Sequence, residues 1–520
     1  MARFVPRLFA FALVLPLLSW SVFNSAGIAA NADSPAAQTV PNKTISTTSV
    51  GIQMFMWPWV SLTSECTSTL GPEGVDWILV SPPQEDIHGP QWWTHYQPVS
   101  YKLDSQLGTA DQFAAMVSAC NKAGVQVIVD AVVNHMANSS GTGFAGTNFS
   151  KYNYPGLYTA TDFHGGLNST DPNYCSGSIS NYDDAFQVVH CELGGLPDLA
   201  TEKANVRQSI ADYLNHLTDL GVAGFRIDAA KHIGLNDLTA IRKLLKPVNG
   251  AAPYFLQESI GSSEYNKPWT AIGDVFAWDY QAEIADIFNG QVQFAQPNDQ
   301  RVGVIGDANS TVIMVSNHDT EHHTSKTITY RDPKKYLAAS AFLLADALGK
   351  PMLYTGYAFS PSDTDTGPAV KSADVIAPAV CPAGKLSQKP QTKYKTGTFI
   401  CMERWSAIKG MIQWHHEVGS APMTMVTSAN KLFAFTRGSG FFAMNGNQAY
   451  PGMTAKLTVK SAVKTGLPQG VYCDLISGGA APISKGKCLG TTVTVAADGT
   501  AKVAIPPMTA VALDSASKLK

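Results

Sequence analysis

The chain has 520 residues, 45% of them hydrophobic and 15% charged, which is long and apolar enough for a large core and more than one domain. A formal net charge of -3 supplies neither the basic field that nucleic acid requires nor a cationic face for a membrane surface. A globular protein with a neutral, polar substrate fits this balance.

Residues 1–32 read as a secretory signal peptide: the basic start MARFVPR, the apolar run FAFALVLPLLSW, and an A-x-A site at Ala30-Asn31-Ala32. The run is shorter than the roughly 20 residues a spanning helix needs, so a secreted, extracellular protein without a membrane anchor is expected. The eight cysteines should then pair. Nearness in sequence favours Cys66 with Cys120, Cys175 with Cys191, Cys381 with Cys401 and Cys473 with Cys488, out of about 105 pairings. No C-x-x-C pair is present, so zinc is not expected. Sequons at Asn42, Asn138, Asn148, Asn168 and Asn309 would carry glycans only in a eukaryotic secretory route.

From residue 48, short β-rich runs alternate with longer stretches of helical periodicity that end in glycine. The runs are VGIQMFMW, VDWILVSP, GVQVIVDAVVNH, GVAGFRIDA, PYFLQES, DVFAWDY, TVIMVSNHD and KPMLYTGY. Eight such alternations are the signature of a (β/α)8 TIM barrel over residues 48–135 and 198–425, although periodicity alone also describes an open doubly wound sheet. Residues 136–197, rich in Gly, Ser, Asn and Tyr, are too long for a connection and read as a small domain inserted after the third strand. Residues 428–520, with KLFAFTRG, FFAMNG, AKLTVKS and TVTVAADG at short spacing, read as a C-terminal all-β sandwich.

Charge concentrates at the ends of the barrel runs. Arg226 and Asp228 are two apart and share a face; Asp130, Asn134 and His135 close the third run, Glu258 the fifth, and Asn317, His318 and Asp319 the seventh. In a barrel these C-terminal strand ends form the active-site cleft. Any one carboxylate alone could be a structural ion pair. Several converging, with no Ser or Cys elbow nearby, suggest glycosidic bond cleavage, one acting as nucleophile and one as acid/base.

DAVVNH, GFRIDAAKH, Glu258 in FLQES and SNHDT together resemble the four sequence regions of the α-amylase family, the family 13 glycoside hydrolases. QWWTHYQPVSYKL, NYPGLY and CELGGLPDLA resemble its animal-type and actinobacterial members. The resemblance implies Asp228 as nucleophile, Glu258 as acid/base and Asp319 as the third carboxylate. It implies Trp92, Trp93, Tyr96 and Gln97 as sugar-binding residues, the aromatic rings stacking on glucose, and His135 and His318 as contacts to sugar hydroxyls. Arg226, Lys231 and His232 complete the substrate-binding set. The implied partners are starch, glycogen and malto-oligosaccharides, cut internally at α-1,4 bonds with retention by a monomer. A transglycosylating relative and a catalytically silent starch-binding protein are the alternatives.

The same resemblance implies structural calcium, held by side-chain oxygens of Asn134 and Asp198 and by backbone carbonyls of Val189 and His232. Animal relatives also bind chloride. Two of its ligands are matched by Arg226 and Asn317; the third falls at Met352, which cannot hold an anion, leaving Lys350 on the same strand face as the substitute. Activity without chloride is the expectation, with Glu258 kept protonated by burial and neighbouring carboxylates.

Overall fold

A computed structural model describes residues 40–41, 43–289, 307–323, 326–384, 389–429, 432–445, 457–458, 463–506 and 508–520. The expected signal peptide, the Asn42 sequon and most of the run AKLTVKS lie outside the described residues.

All eight apolar runs contribute strands. In chain order these are β1 (Gly51–Met54), β2 (Trp77–Val80), β3 (Gln126–Ala131), a small hairpin of β4 (Gly141–Thr142) and β5 (Asn148–Phe149), then β6 (Gly224–Ile227), β7 (Tyr254–Gln257), β8 (Asp274–Phe276), β9 (Thr311–Met314) and β10 (Lys350–Thr355). Leaving out the hairpin, the strands close into a parallel barrel in the order β1-β10-β9-β8-β7-β6-β3-β2. Closure excludes the open sheet. Parallel strands covered on both faces must be apolar nearly throughout, and Trp77, Leu79, Ile128, Leu256, Phe276, Val312, Met314 and Met352 pack together in one buried cluster. Gln53, Asp130 and Arg226 break that rule and are buried all the same.

Outer helices follow their amphipathic sequences. Ala110–Lys122 starts at a capping box between Thr109 and Gln112 and buries Phe113, Met116 and Val117; Ala204–Asp219 buries Val206, Ile210, Leu214 and Leu217. The stretch after β3 contains the small hairpin, the helix Ala185–His190 and the Cys175–Cys191 bond. It returns to the barrel where His135 bridges Asp198. The other three expected disulfides are also formed.

In the C-terminal region, Met423–Ala429, Leu432–Arg437, Gly440–Asn445 and Thr509–Asp514 form one antiparallel sheet; Val463–Lys464, Gly470–Cys473, Thr492–Val495 and Thr500–Ala501 belong to a second. Leu432 and Phe441 of the first meet Val463, Tyr472 and Val495 of the second in a shared apolar cluster, which makes a sandwich. A short helix, Leu475–Gly478, capped by Asp474, interrupts the all-β pattern.

Candidate active site

The site forms where the barrel ladder continues past the strands. The Asp228 N–H donates to the Ala131 carbonyl at 3.1 Å and the Glu258 N–H to the Ile227 carbonyl at 3.0 Å, so both side chains are fixed at the rim. Ala229 then takes left-handed backbone angles (φ 48, ψ 35), unusual for a residue with a Cβ, and turns the chain into the helix Ala230–Ile233. In that conformation its N–H donates to Glu258 Oε2 at 2.8 Å. Strain of this kind persists where surrounding contacts hold it. The seventh run departs from the strand expected of it: β9 ends at Met314, and His318 and Asp319 begin a helix, His318–His323.

Arg226 organises the floor. Its Nη1 donates to Asp130 Oδ1 at 2.6 Å and to Asp228 Oδ1 at 2.7 Å, while Nη2 lies 2.9 Å from Glu258 Oε2 and 3.9 Å from Asp319 Oδ2. The sequence-derived triad is thus brought together around one guanidinium. Side chains of Arg226 and Asp130 are 1% exposed, against 10% for Asp228, 9% for Glu258 and 28% for Asp319, so the last three are the ones a ligand can reach. Four carboxylates on one cation cannot all stay ionised at this burial. Burial raises Glu258 well above the ordinary range; Arg226 opposes the shift, and the charges of Asp228 and Asp319 reinforce it. A raised carboxyl beside two others is the arrangement a general acid needs.

An aromatic wall stands beside the carboxylates. His318 is sandwiched between Phe55 (centroids 4.7 Å apart) and Tyr96 (5.2 Å), and the Tyr96 hydroxyl donates to Asp130 Oδ2 at 2.9 Å. Trp92, expected as a stacking platform, is only 5% exposed; its Nε1 donates to the Thr364 carbonyl and its ring packs on His322. Trp93 and Tyr96 are partly exposed. Gln97 is buried and its Oε1 accepts from the Asn138 N–H. His135 Nε2 donates to the Tyr96 carbonyl at 3.0 Å, and His232 Nδ1 to the Val188 carbonyl at 2.8 Å. Lys231 Nζ donates to the Ile260 carbonyl and sits 5.8 Å from the centre of the exposed Tyr182 ring, a contact from the inserted segment absent from the sequence reading.

The residues suggested for calcium fall into two neighbouring pairs, Asn134 with Asp198 and His232 beside the Val188–Val189 segment. Asn134 Nδ2 donates to His135 Nδ1 and to Asp198 Oδ1, both at 3.3 Å, and its backbone carbonyl accepts from the Leu199 N–H at 3.0 Å, so its side-chain oxygen is the atom it could offer to a cation. Asp198 Oδ2 accepts from His164 Nδ1 at 2.6 Å. Val188, next to Val189, holds the His232 ring. Burial raises the Asp198 carboxyl, so a cation would relieve the cost of ionising it. Hard oxygen donors of this kind fit calcium. Among the described residues, the grouping of acidic and sulfur ligand atoms at Cys381, Cys401 and Glu403 offers no thiolate, because the two cysteines are bonded to each other.

The suggestion that Lys350 could complete an anion site requires a correction. Lys350 does not stand beside Arg226 and Asn317: it opens β10, and its Nζ is 2.5 Å from Asp274 Oδ2 at the start of β8, at the opposite end of the barrel. Residues two apart share a face, but each pair of steps along a strand advances by about 6.6 Å. Met352, above it, is fully buried in the apolar cluster.

Gln53, Phe55 and His322 were missed by sequence reasoning. Gln53 and Phe55 stand in the run VGIQMFMW, whose one signal was a single amide in an apolar strand.

Residues 74–250 match the family described as "Alpha amylase, catalytic domain", and residues 425–516 the one described as "Alpha amylase, C-terminal all-beta domain". The chain is 39% identical over 445 residues to an α-amylase of Thermomonospora curvata, covering 82% of this chain and 67% of that one. It is 34% identical to an α-amylase of Tribolium castaneum, with 87% and 91% covered. Among solved structures, a variant of α-amylase I from Eisenia fetida in complex with maltohexaose superposes with a TM-score of 0.78 at 28% identity, over 92% of this chain and 99% of that one.

Proposed function

The chain belongs to the α-amylase family of glycoside hydrolases, and on that premise we propose that it cleaves internal α-1,4-glucosidic bonds of starch, glycogen and malto-oligosaccharides with Asp228 as nucleophile, Glu258 as acid/base and Asp319 as the orienting carboxylate. The observation that carries these roles is Arg226, whose two nitrogens reach Asp228 and Glu258 separately. The charged hydrogen bond from Arg226 Nη1 holds one Asp228 oxygen in place and so orients the carboxylate for attack on the anomeric carbon. Glu258, kept protonated by burial and neighbouring charge, donates to the departing oxygen and then takes a proton from the incoming water. Asp319, the most exposed of the three, accepts hydroxyls of the sugar being distorted. His135 and His318 border that sugar, Trp93 and Tyr96 offer apolar ring faces to it, and Lys231 and His232 flank the leaving-group side.

Calcium held by Asn134, Asp198 and the carbonyls of Val189 and His232 would pin the inserted segment to the rim, a structural role. With Lys350 committed to Asp274, turnover proceeds without chloride. We further read the protein as secreted and monomeric; among the described residues no helix is long and apolar enough to cross a membrane.

Product analysis on soluble starch and maltoheptaose tests the reading: short maltodextrins of retained anomeric configuration are expected, and accumulation of chains longer than the substrate would turn it toward transglycosylation. Chelator dialysis should lower the melting temperature and calcium should restore it; an unchanged midpoint removes the calcium assignment. Adding sodium chloride to chloride-free enzyme should leave turnover and its pH optimum unmoved.

A further inference from the structure

Gln53 lies in the middle of β1, 3% exposed, between apolar neighbours. Its Nε2 is 2.9 Å from His318 Nδ1, and its Oε1 is buried without a partner. A buried carbonyl without a donor is destabilising, and methionine would fill the same volume without one. Core packing therefore gives no reason for an amide here. The bond to His318 does.

The two ring nitrogens of His318 face different partners. Nε2 lies 3.3 Å from Asp319 Oδ2, and Nδ1 faces Gln53. The carboxylate at 3.3 Å is an ion-pair approach and not an aligned hydrogen bond, yet a negative oxygen on that side favours the hydrogen on Nε2 over a lone pair there. Nδ1 is then a lone pair, which the amide N–H of Gln53 satisfies. The reversed amide would put the proton on Nδ1 and set the Nε2 lone pair against the carboxylate. Double protonation is opposed by burial first and then by Arg226 and His322, which hold His318 well below its ordinary range. Charged and titratable groups facing the ring are Asp319, His322 and His323 on its own helix, Arg226 and Asp228 from the fourth barrel strand and its end, and Tyr96 from the segment stacked on it. Phe55 and Tyr96 prevent the ring from tilting.

We propose that Gln53 is a positioning residue that fixes His318 as the neutral Nε2–H tautomer, aiming one N–H donor at Asp319 in the free cleft and at a hydroxyl of the bound sugar. The proposal rests on the substrate contact assigned to His318 above. Gln53 itself touches no substrate.

Histidine-selective 15N NMR, with the His318 signals identified by their loss in His318→Asn, reads the tautomer without turnover. The wild type should show a protonated Nε2 and an unprotonated Nδ1 from pH 5 to 8. Gln53→Glu should place a proton on Nδ1, turn the ring into an imidazolium over that range, and lower kcat/KM at least about tenfold with an altered pH profile. Gln53→Met should mix the tautomers and lower kcat/KM while melting no earlier than wild type. A wild-type proton on Nδ1, or an unchanged His318 spectrum in Gln53→Glu, overturns the proposal whether or not Gln53→Met folds. A wild type with the Nε2–H tautomer but no hydrolysis of starch would instead overturn the proposed function and leave the tautomer standing.

Discussion

At the N-terminal end of the barrel Lys350 meets Asp274 at 2.5 Å, one cation to one carboxylate; at the C-terminal end Arg226 meets Asp130 and Asp228 at 2.6 and 2.7 Å and faces Glu258 and Asp319 besides. Both clusters are buried in the same barrel. The lower one is balanced and closed, with Tyr254 donating its hydroxyl to the same Asp274 oxygen. The upper one has more carboxylates than cations and opens to solvent at Asp319. Balance makes a structural pair; excess leaves a proton held in place that a bound substrate can receive. The difference gives opposite expectations for removing one charge at each end.

The largest effect is expected at the upper end. Asp228→Asn and Glu258→Gln should each lower turnover by roughly three orders of magnitude or more, because neither carboxamide can attack carbon or transfer the proton. Each also removes a carboxylate from a crowded set, so the melting temperature should stay level or rise. Activity above a tenth of wild type in either variant removes the assigned role, and a large loss of stability contradicts the charge-excess argument.

Lys350→Met should do the reverse. It leaves Asp274 buried without its cation, which costs about 3–5 kcal/mol, while the activity of the molecules that remain folded is unchanged. Burial already raises the Asp274 carboxyl against the pull of Lys350. Adding Asp274→Leu to Lys350→Met should therefore recover most of the lost stability. Urea denaturation of the three proteins measures this, and a single variant as stable as wild type would show that the lower pair is not the closed counterpart described here.

How far the sequence discloses this difference follows from which signals are local. The barrel was legible because parallel strands covered on both faces read as apolar runs, and VDWILVSP or TVIMVS can hardly be anything else. The meeting of Asp228, Glu258 and Asp319 at the rim was legible because rim residues follow those runs directly. Lys350 was misplaced because alternation gives the face of a strand and not the layer. His318 was assigned to a strand end because the apolar pattern stops only at Val315, too near to show that the chain has left the sheet and begun a helix. Asn134 and Asp198 are 64 positions apart, and Gln53 and His318 are 265 apart, so only the folded chain brings either pair together. No periodicity carries that information.

A third cluster separates charge excess from catalysis. Glu65 and Glu403, with side chains 1% and 0% exposed, share the single cation Arg404, which binds Glu65 through two nitrogens and approaches Glu403 only to 3.8 Å. Both Glu403 oxygens are buried, and burial together with the Glu65 charge pushes the carboxyl up to about 8. The same excess of carboxylates as at the rim thus exists here without an opening, and its consequence should be confined to stability. In the unfolded chain Glu403 titrates near the ordinary value of about 4.3. Between that value and about 8 the folded protein holds a proton that the unfolded chain has released, so the contribution of Glu403 is complete at acidic pH and is lost as pH rises through the folded value. Glu403→Gln keeps the shape and has nothing to ionise. Its melting temperature should match wild type at pH 4.5 and exceed it by about 2 °C or more at pH 9, with starch hydrolysis unaffected at either pH. Equal shifts at both pH values would mean that the effect is one of packing and that the carboxyl holds no trapped proton.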